Sequence, residues 1–396
     1  MYTDKSFLDW PFFEDKHRVL AAKLEQWCSQ HLPVSHEDVD AACIDLVAQL
    51  GADGWLKYSA IDPGNNDPDE SDESSPGLDV RSLCLIRETL ARYDALADFS
   101  FAMQGLGTGA ISLFGSPEQQ QQWLSKTRSG ETLSAFALTE QRSGSDVANI
   151  SLSAQLEGDH YLLNGEKTWI SNGAIAGVYC VFARTSEHGA KGLSAFIVAA
   201  DTPGFSIKER LHTIAPHPLA TLKFENAKVP ASSRIGAEGE GFKIAMSVLD
   251  VFRSTVGAAA LGFARRALSE SVARVQKREL FGNPLIELQM VQGHIADMAL
   301  DVDAAALLVY RAAWTKDSGA SRVTREAAMA KLYATDNAQK VIDKAVQLHG
   351  GDGVRSGTVV ETLYRDIRAL RIYEGASDVQ KIIIARQVIS SSNAQS

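Results

Sequence analysis

The sequence is poor in cysteine and in long apolar runs, and each shortage excludes a class of protein. It has 396 residues and four cysteines, Cys28, Cys43, Cys84 and Cys180, with no CxxC or CxH spacing. Isolated cysteines of this kind fit reduced, partly buried thiols rather than a disulfide framework or a zinc site. No apolar run approaches the roughly 20 residues that span a bilayer, and no signal peptide is visible. We therefore expect a cytoplasmic protein with no metal and no membrane association.

Basic residues are outnumbered by acidic ones. The chain has 39 Lys and Arg against 49 Asp and Glu, a formal net charge of −10. An acidic surface repels nucleic acids, so we expect no nucleic-acid partner. Hydrophobic residues make up 45% of the sequence, which is typical of a globular chain with a large core. Residues 62–79 are the exception, because their seven acidic side chains indicate a solvated loop.

Hydrophobic periodicity divides the chain into three blocks. Residues 1–130 have apolar side chains at helical spacing, residues 131–238 contain short alternating segments, and residues 239–396 return to helical spacing. The blocks predict an α+β multi-domain protein with an N-terminal helical domain, a middle antiparallel β-barrel or sandwich, and a C-terminal helical bundle. A β-domain between two helical domains is uncommon and narrows the choice of fold.

Polar and glycine-rich clusters fall at the edges of these blocks. Residues 138–146, LTEQRSGSD, could hold a heterocycle or a phosphate, although an ordinary cap and turn has the same composition. Trp169 could cover a flat ring or be a half-buried strand residue. Arg278, before the helix break at 282–284, could bind phosphate or form a surface ion pair. The GLGTG at 105–109 follows no strand, so it indicates close helix packing instead of a phosphate loop.

The C-terminal segment places an acid just before a predicted helix. Ser377 or Asp378 would be the N-cap of that helix. Glu374, three residues earlier than Ser377, could complement the helix dipole. It could also be a general base whose neighbouring amides bind an oxyanion.

Together, six motifs resemble those of the acyl-CoA dehydrogenase family, in the family's order and at its spacing. A lone glycine pattern is weak evidence, but six motifs in register over nearly the whole chain are strong. They are LTE-x-x-x-GSD (138–146), LNGEKTWISNG (163–173), R-x-x-FG with a later Gln (278–289), Q-L-x-GG-x-G (347–353), YRD (364–366) and IYEG (372–375).

The resemblance implies non-covalent FAD binding between the β-domain and the C-terminal helices. Trp169 and Ser171 match the pair beside the flavin ring, with the Ser171 hydroxyl near N5. The other positions that match FAD contacts are Phe136, Leu138, Thr139, Ser145, Arg278, Phe281, Gln289, Gln347, Gly350 and Gly351. Those from Arg278 onward match contacts made across a subunit interface, which implies a homo-oligomer, most often a tetramer. Coenzyme A contacts match Ser145, Asp250, Arg253, Gly375 and Arg386.

The resemblance also implies a reaction. Glu374 matches the base that takes the α-proton of an acyl-CoA thioester while the β-hydride passes to flavin N5, giving a trans-2-enoyl-CoA. Phe252 stands where other branches of the family carry the base, and phenylalanine cannot accept a proton. Electrons would then pass to an electron-transferring flavoprotein. Burial would raise the basicity of Glu374 and the adjacent helix N-terminus would lower it; the sequence leaves that balance open.

Departures from the family pattern leave the substrate open. Residues 141–144 read Gln-Arg-Ser-Gly in place of Pro-Gly-Ala-Gly, and Ala376 replaces a threonine. An IAPHPLA stretch at 214–220 replaces Arg-Ser-Ser/Thr, and its His217 is either an exposed loop residue or a contact to coenzyme A or to an unusual acyl group. Four large side chains could shorten the acyl pocket and favour short, branched or cyclic acyl groups: Phe99, Phe101, Met103 and Phe252.

Two alternatives remain. An acyl-CoA oxidase that uses O2 would carry the same residues. A non-catalytic flavoprotein relative that binds DNA would need a basic domain, which the net charge of −10 disfavours.

Overall fold

The computed structural model describes residues 4–63 and 78–393. Most of the predicted acidic loop, residues 64–77, lies outside the described part. The chain forms two compact units. The helical unit comprises Met1–Val34, Val80–Asp98 and Asp250–Ser396, and the mixed unit comprises Ser35–Asp79 and Phe99–Leu249.

Helices account for most of the described chain, as the periodicity of the first and third blocks predicts. They are α1 (Asp15–His31), α2 (Val39–Ala52), α3 (Val80–Tyr93), α4 (Ala95–Phe114), α5 (Pro117–Arg128), α6 (Gly241–Lys277), α7 (Gln289–Asp317), α8 (Thr324–His349), α9 (Val359–Leu370) and α10 (Ser377–Asn393).

Helix α7 shows the helical spacing of apolar side chains that the third block predicts. Met298, Val302, Ala305, Val309 and Ala312 are all buried. They recur at steps of three and four residues, so they share one face of the helix. That face is the part of α7 that enters the core of the helical unit.

Helix α6 is long and apolar enough to cross a bilayer by length and composition alone. However, 89% of its most apolar 18-residue window is buried inside the protein. A core helix of a folded domain has the same composition, so the burial accounts for it.

The middle block forms one eight-stranded sheet in the mixed unit. Its spatial order is β6-β7-β3-β2-β4-β5-β8, with β1 beside β4. The pairings are antiparallel apart from β1 with β4 and one residue pair between β2 and β4. The strands are β1 (Ser134–Ala137), β2 (Ser153–Glu157), β3 (His160–Ser171), β4 (Val178–Arg184), β5 (Leu193–Ala199), β6 (Phe205–Leu211), β7 (Leu219–Pro230) and β8 (Arg234–Ile235).

Strand β6 lacks the alternating pattern that predicts the strands of the middle block, and its exposure explains why. Most of its side chains are exposed, so its sequence, FSIKERL, lacks the apolar alternation that marks a half-buried strand. The four cysteines form no disulfide and are fully buried, and burial raises the pKa of each thiol.

Gly107, the central glycine of GLGTG, serves close packing, as predicted. A Cβ added to Gly107, on α4, would lie 2.4 Å from Ser134 Oγ and 2.8 Å from the Ala135 backbone nitrogen. Both contacts are shorter than real Cβ atoms tolerate, so α4 approaches β1 this closely only because residue 107 has no side chain.

We expect Gly107→Ala to lower the free energy of unfolding by about 1–3 kcal/mol, because the added methyl group must displace backbone. A thermal melt measures the effect. Gly293→Ala is the matched control, since a Cβ there meets nothing within 4 Å. That variant should be neutral or slightly more stable, by up to about 1 kcal/mol. Equal melting temperatures for both variants would contradict the packing role of Gly107.

Candidate active site

Glu374 lies between α9 and α10 on a tightly fixed backbone. Its φ is +52° and that of Gly375 is +94°, two consecutive left-handed residues. Gln380 Nε2 donates to the Glu374 carbonyl at 3.3 Å and to the Gly375 carbonyl at 2.9 Å. Lys331 Nζ donates to the Gly375 carbonyl at 2.8 Å. These bonds hold a conformation that a non-glycine residue rarely adopts, and such strain clusters at functional sites.

The predicted N-cap of the last helix is wrong. Ser377 and Asp378 are the first two residues of α10 and do not precede it. The Ser377 hydroxyl donates to Asp336 Oδ1 at 2.7 Å, and Arg371 Nε donates to the same oxygen at 2.8 Å. The Ser377 hydroxyl therefore bonds Asp336, which is distant in sequence, and does not cap the helix as the local pattern predicts.

The carboxyl group of Glu374 is poorly solvated. The residue keeps some exposure, but its Oε2 atom is buried and has no hydrogen-bond partner. Burial raises the pKa of Glu374 to about 7, while the nearby cations Arg87, Lys331 and Arg253 oppose the rise and Asp98 adds to it. The net shift of the pKa of Glu374 is upward, so the effect of burial exceeds that of the three cations. A carboxyl group with a pKa near neutrality and an oxygen free to accept is suited to general-base chemistry.

Arg253 and Asp250, predicted coenzyme A contacts, lie close to this backbone. Arg253 Nη1 donates to Asp250 Oδ1 at 3.2 Å, and its Nε is buried without a partner. A Cβ added to Gly375 would lie 3.8 Å from that Nε. The structure thus brings Arg253, Gly375 and Glu374 together, with Asp250 linked through Arg253. Arg386 is exposed on α10.

In the mixed unit, two predicted FAD-binding segments are joined side by side. The Thr168 amide donates to the Thr139 carbonyl at 2.9 Å. Lys167, fully buried, donates from Nζ to the Leu138 carbonyl and to Glu140 Oε1, each at 2.9 Å. These hydrogen bonds hold the segment that carries Thr139 beside the segment that carries Trp169.

Trp169 projects from an irregularity in β3. The register with β7 shifts between Lys167 and Ile170, and Trp169 has a φ of +60°. Its indole is 54% exposed. A bulge re-aims a side chain, which explains how a large aromatic ring in a strand faces outward. Ser171 follows on the same strand, partly buried.

The remaining predicted residues of the mixed unit lie around this pair of segments. Asn172 Nδ2 donates to the Ser134 carbonyl at 3.1 Å and ties the end of β3 to β1, which carries the partly buried Phe136. Ser145 is exposed on the turn that follows Glu140.

The other six predicted FAD contacts are exposed on the helical unit. Arg278 and Gln289 flank a hairpin of two short strands, β9 (Glu279–Leu280) and β10 (Asn283–Pro284), and Phe281 lies in its turn. Phe281 is 86% exposed, and it and Gly282 have φ values of +54° and +82°, as a two-residue hairpin turn requires.

Gln347, Gly350 and Gly351 end α8. A Cβ on either glycine would meet nothing within 4 Å, so the backbone there is open to a ligand. Arg274 ties this end of α8 to α6, because it donates to the His349 carbonyl at 3.2 Å and pairs with Asp352 at 3.0 Å.

Each unit, taken by itself, carries residues that suit one part of a flat cofactor with phosphate groups. The mixed unit presents an exposed indole face beside the Thr139 and Ser171 hydroxyls. The helical unit presents an arginine, two amides and two unobstructed glycines. Hydroxyls and open backbone amides bind phosphate, and an aromatic face suits a planar ring.

Four functional candidates were missed from the sequence: Arg87, Asp98, Lys331 and Gln380. Arg87 follows the apolar run LCLI, and Asp98 stands between Ala97 and Phe99. A charge within such a run is a usable signal, since charged residues are rarely buried unless paired.

His217 is not the exposed loop residue that one prediction held it to be. It is partly buried, and its ring stacks on Phe99 with centroids 4.5 Å apart and planes 15° apart. Phe99, Phe101, Met103 and Phe252 are each buried.

Comparison with known families identifies three consecutive matches. The acyl-CoA dehydrogenase N-terminal domain matches residues 14–131, the middle domain residues 135–227, and the C-terminal domain residues 239–389.

Curated relatives cover most of the chain. The sequence is 37% identical over 381 residues to the mitochondrial short-chain specific acyl-CoA dehydrogenase of Homo sapiens, covering 95% of this chain and 91% of that protein. It is 45% identical over 285 residues to the acryloyl-CoA reductase (NADH) of Anaerotignum propionicum, covering 71% and 72%.

Solved structures agree with these matches. Butyryl-CoA dehydrogenase from Megasphaera elsdenii has a TM-score of 0.78 at 33% identity, covering 90% of this chain and 100% of that one. Glutaryl-CoA dehydrogenase from Mycobacterium smegmatis, in complex with FADH2, has a TM-score of 0.85 at 27% identity, covering 95% of both. A chain described as an electron transferring flavoprotein of Acidaminococcus fermentans has a TM-score of 0.87 at 34% identity, covering 95% and 98%.

The raised pKa of Glu374 makes stability depend on pH. Between the unfolded value of about 4.5 and the folded value of about 7, the folded state binds a proton that the unfolded state has lost. Stability therefore falls as pH rises through this window, by up to about 3 kcal/mol in total.

Glu374→Gln removes this titration, so its stability relative to the wild type should increase between pH 4.5 and pH 8. Thermal or urea melts at several pH values measure the difference. Glu361→Gln is the control, because pairing with Arg365 lowers the pKa of Glu361 and the relative stability of that variant should change slightly in the opposite direction. Parallel pH curves for Glu374→Gln and the wild type would contradict the burial of an ionisable group.

Proposed function

Because the chain belongs to the acyl-CoA dehydrogenase family, we propose that Glu374 is the base that removes the α-proton of its acyl-CoA substrate. The protein is an FAD-dependent acyl-CoA dehydrogenase that forms the α,β-unsaturated thioester. The main support for this role is the buried Oε2 atom of Glu374, which has no hydrogen-bond partner in the protein and belongs to a carboxyl group of raised pKa.

The chain's own residues prepare the proton transfer. Gln380 and Lys331 fix the backbone around Glu374, so its carboxylate is oriented before substrate binds. Burial makes the carboxylate a stronger base, and the three nearby cations keep a useful fraction ionised at neutral pH. We assign the Glu374 backbone amide to the thioester oxygen, where negative charge develops as the proton leaves. FAD, when bound, supplies the acceptor for the β-hydride.

We propose that residues of the mixed unit bind the flavin ring. Trp169 and Ser171 would lie beside it, with Phe136, Leu138 and Thr139 along the same segments. The bond from the Thr168 amide to the Thr139 carbonyl and the exposed indole of Trp169 support this assignment. Ser145 would reach the diphosphate and coenzyme A.

We assign six exposed residues of the helical unit to the FAD of a neighbouring subunit, in a homo-oligomer that we propose to be a tetramer. Their exposure supports this, above all that of Phe281, since a fully exposed phenylalanine favours a protein or ligand contact. The six are Arg278, Phe281, Gln289, Gln347, Gly350 and Gly351.

The substrate is proposed to be a short, branched or cyclic acyl-CoA. Phe99 and Phe101 of the mixed unit are large and buried, and we assign them to the acyl site, where they would limit the length of the chain. Relatives named for short-chain and butyryl substrates support the same size class. Asp250, Arg253, Gly375 and Arg386 are the proposed contacts to coenzyme A.

An electron-transferring flavoprotein is the proposed acceptor, and a cytoplasmic location is proposed with it. The similarity to a chain described under that flavoprotein's name supports the first proposal. The oxidase alternative is not favoured, because the relatives are named dehydrogenases. The net charge of −10 continues to disfavour the DNA-binding alternative.

Substrate should bleach the flavin of the wild-type protein and leave that of Glu374→Gln oxidised, because glutamine cannot accept the α-proton. The measurement is the absorbance of FAD after anaerobic mixing with a panel of straight, branched and cyclic acyl-CoAs. Glu361→Gln, altered far from the proposed base in sequence, should be bleached like the wild type.

Undiminished bleaching of Glu374→Gln would refute the assigned base. If no saturated acyl-CoA bleaches the wild type but enoyl-CoA reoxidises its photoreduced flavin, the enzyme works as a reductase, as its Anaerotignum relative is named. Steady peroxide production in air would instead support the oxidase.

Phe281→Ser should weaken FAD retention and subunit association together, because the exposed ring is assigned to the neighbouring subunit's site. FAD content after gel filtration and molar mass by light scattering measure both. Ile214→Ser is the control, since Ile214 is another large exposed side chain but lies in the mixed unit. Normal FAD content and mass for Phe281→Ser would contradict the intersubunit assignment.

A further inference from the structure

Lys167 and Glu140 form a buried ion pair inside the mixed unit. Lys167 is fully buried and Glu140 is 7% exposed. The Nζ atom of Lys167 donates to Glu140 Oε1 and to the Leu138 carbonyl, each at 2.9 Å. Lys167 lies in β3, whereas Leu138 and Glu140 follow the end of β1. One buried ammonium group therefore bonds both a carboxylate and a backbone carbonyl of the neighbouring segment.

The carboxylate of Glu140 is fully bonded as well. The amide and the hydroxyl of Ser151 each donate to its Oε2 atom at 2.7 Å, and the Leu152 amide donates to Oε1 at 2.9 Å. Together with Lys167, these groups give the carboxylate four hydrogen bonds. The position of the ammonium group is thus fixed from the chain just before β2.

A buried ion pair is a costly way to stabilise a core. Desolvation of the two charges often cancels their attraction, and apolar residues of similar size stabilise as well or better. Stability alone therefore does not explain why the carbonyl next to Thr139 is bonded by a buried lysine side chain.

The bond from Lys167 determines the direction of one peptide group. The peptide between Leu138 and Thr139 is trans. In a trans peptide the C=O and N–H groups point in opposite directions. Because the Leu138 carbonyl is bonded to the Nζ atom of Lys167, the N–H group of Thr139 points away from that nitrogen.

The Thr139 amide differs from the backbone groups that follow it. The Thr139 carbonyl accepts from the Thr168 amide at 2.9 Å, and the Glu140 amide donates to the Ser143 carbonyl at 3.3 Å. Within residues 4–63 and 78–393, the Thr139 amide donates no hydrogen bond. Thr139 is partly buried, and a backbone N–H group in such a place is ordinarily satisfied by water or by a ligand.

We propose that Lys167 is a positioning residue for FAD, because it holds the Leu138–Thr139 peptide in the orientation that presents the Thr139 amide to the cofactor. Glu140 holds the ammonium group in place and compensates its charge. The proposal rests on the proposed function, since it takes the segment of Thr139 to bind FAD.

The hydrogen bond and the charge of Lys167 can be separated. Burial lowers the pKa of Lys167 to about 8, and Glu140 opposes that shift. Without the carboxylate the pKa should fall further, and the side chain would become a neutral amine. A neutral amine still has N–H groups to donate, so the bond to the Leu138 carbonyl should survive the loss of Glu140.

The test compares the wild type with Lys167→Met, Glu140→Gln and the double variant Lys167→Met/Glu140→Gln. The dissociation constant of FAD is measured from the rise of FAD fluorescence when the holoenzyme is diluted. Thermal melts with FAD in the same large excess measure stability. Lys208→Met is the matched control, because Lys208 pairs with Glu166 at 2.8 Å on the same sheet but its side chain is 46% exposed.

We expect Lys167→Met to raise the dissociation constant of FAD by about 10- to 100-fold, which is typical for the loss of a residue that orients a binding group. Glu140→Gln should melt at a lower temperature but keep a dissociation constant close to that of the wild type. The double variant should melt higher than Lys167→Met, because it carries no unpaired charge, and yet release FAD as readily as that variant does. Lys208→Met should match the wild type in both measurements.

An unchanged dissociation constant in Lys167→Met would overturn the proposal, as would an equal loss of affinity in Glu140→Gln or a recovery of affinity in the double variant. Failure of both Lys167→Met and the double variant to fold would overturn it too, since Lys167 would then act chiefly in stability. If no acyl-CoA bleaches the wild type while the FAD affinities differ as expected, the proposed function fails and the role of Lys167 stands.

Discussion

The loss of water around one carboxyl group is the constraint on which the rest of the site depends. A free glutamate is too weak a base to remove a proton next to a thioester at a useful rate, and burial of Oε2 is what strengthens Glu374. Burial alone would keep the group protonated at neutral pH. The surrounding cations, partly cancelled by Asp98, hold its pKa near 7, where both proton uptake and proton release are possible.

The position of Glu374 requires an unfavourable backbone conformation, which nearby hydrogen bonds stabilise. Two left-handed residues in succession, Glu374 and Gly375, are stable here because Gln380 and Lys331 bind their carbonyl oxygens. A Cβ at Gly375 would lie 2.3 Å from Gln380 Nε2, so residue 375 must be glycine for the clamp to close. The left-handed conformation, the hydrogen bonds from Gln380 and Lys331, and the absence of a side chain at residue 375 together orient Glu374.

Local patterns predicted the elements and the base but not the partners. The helical spacing of the third block and the IYEG motif predicted the C-terminal helices and Glu374 from nearby residues alone. The capping prediction for Ser377 failed because Asp336, 41 positions away, takes its hydroxyl. The pairing of Arg87 with Asp98 escaped prediction for the same reason, since which charges meet in a core is decided by helix packing and not by spacing. The outward turn of Trp169 likewise depends on a register shift against β7.

The central claim is that Glu374, with a pKa near 7, takes the α-proton. Anaerobic incubation of the enzyme with acyl-CoA in D2O, followed by mass spectrometry of the recovered thioester, measures that step directly. The account predicts deuterium at the α-carbon, at a rate that rises with pH through about 7 and vanishes in Glu374→Gln. Exchange that is independent of pH, or that persists in the variant, would contradict it.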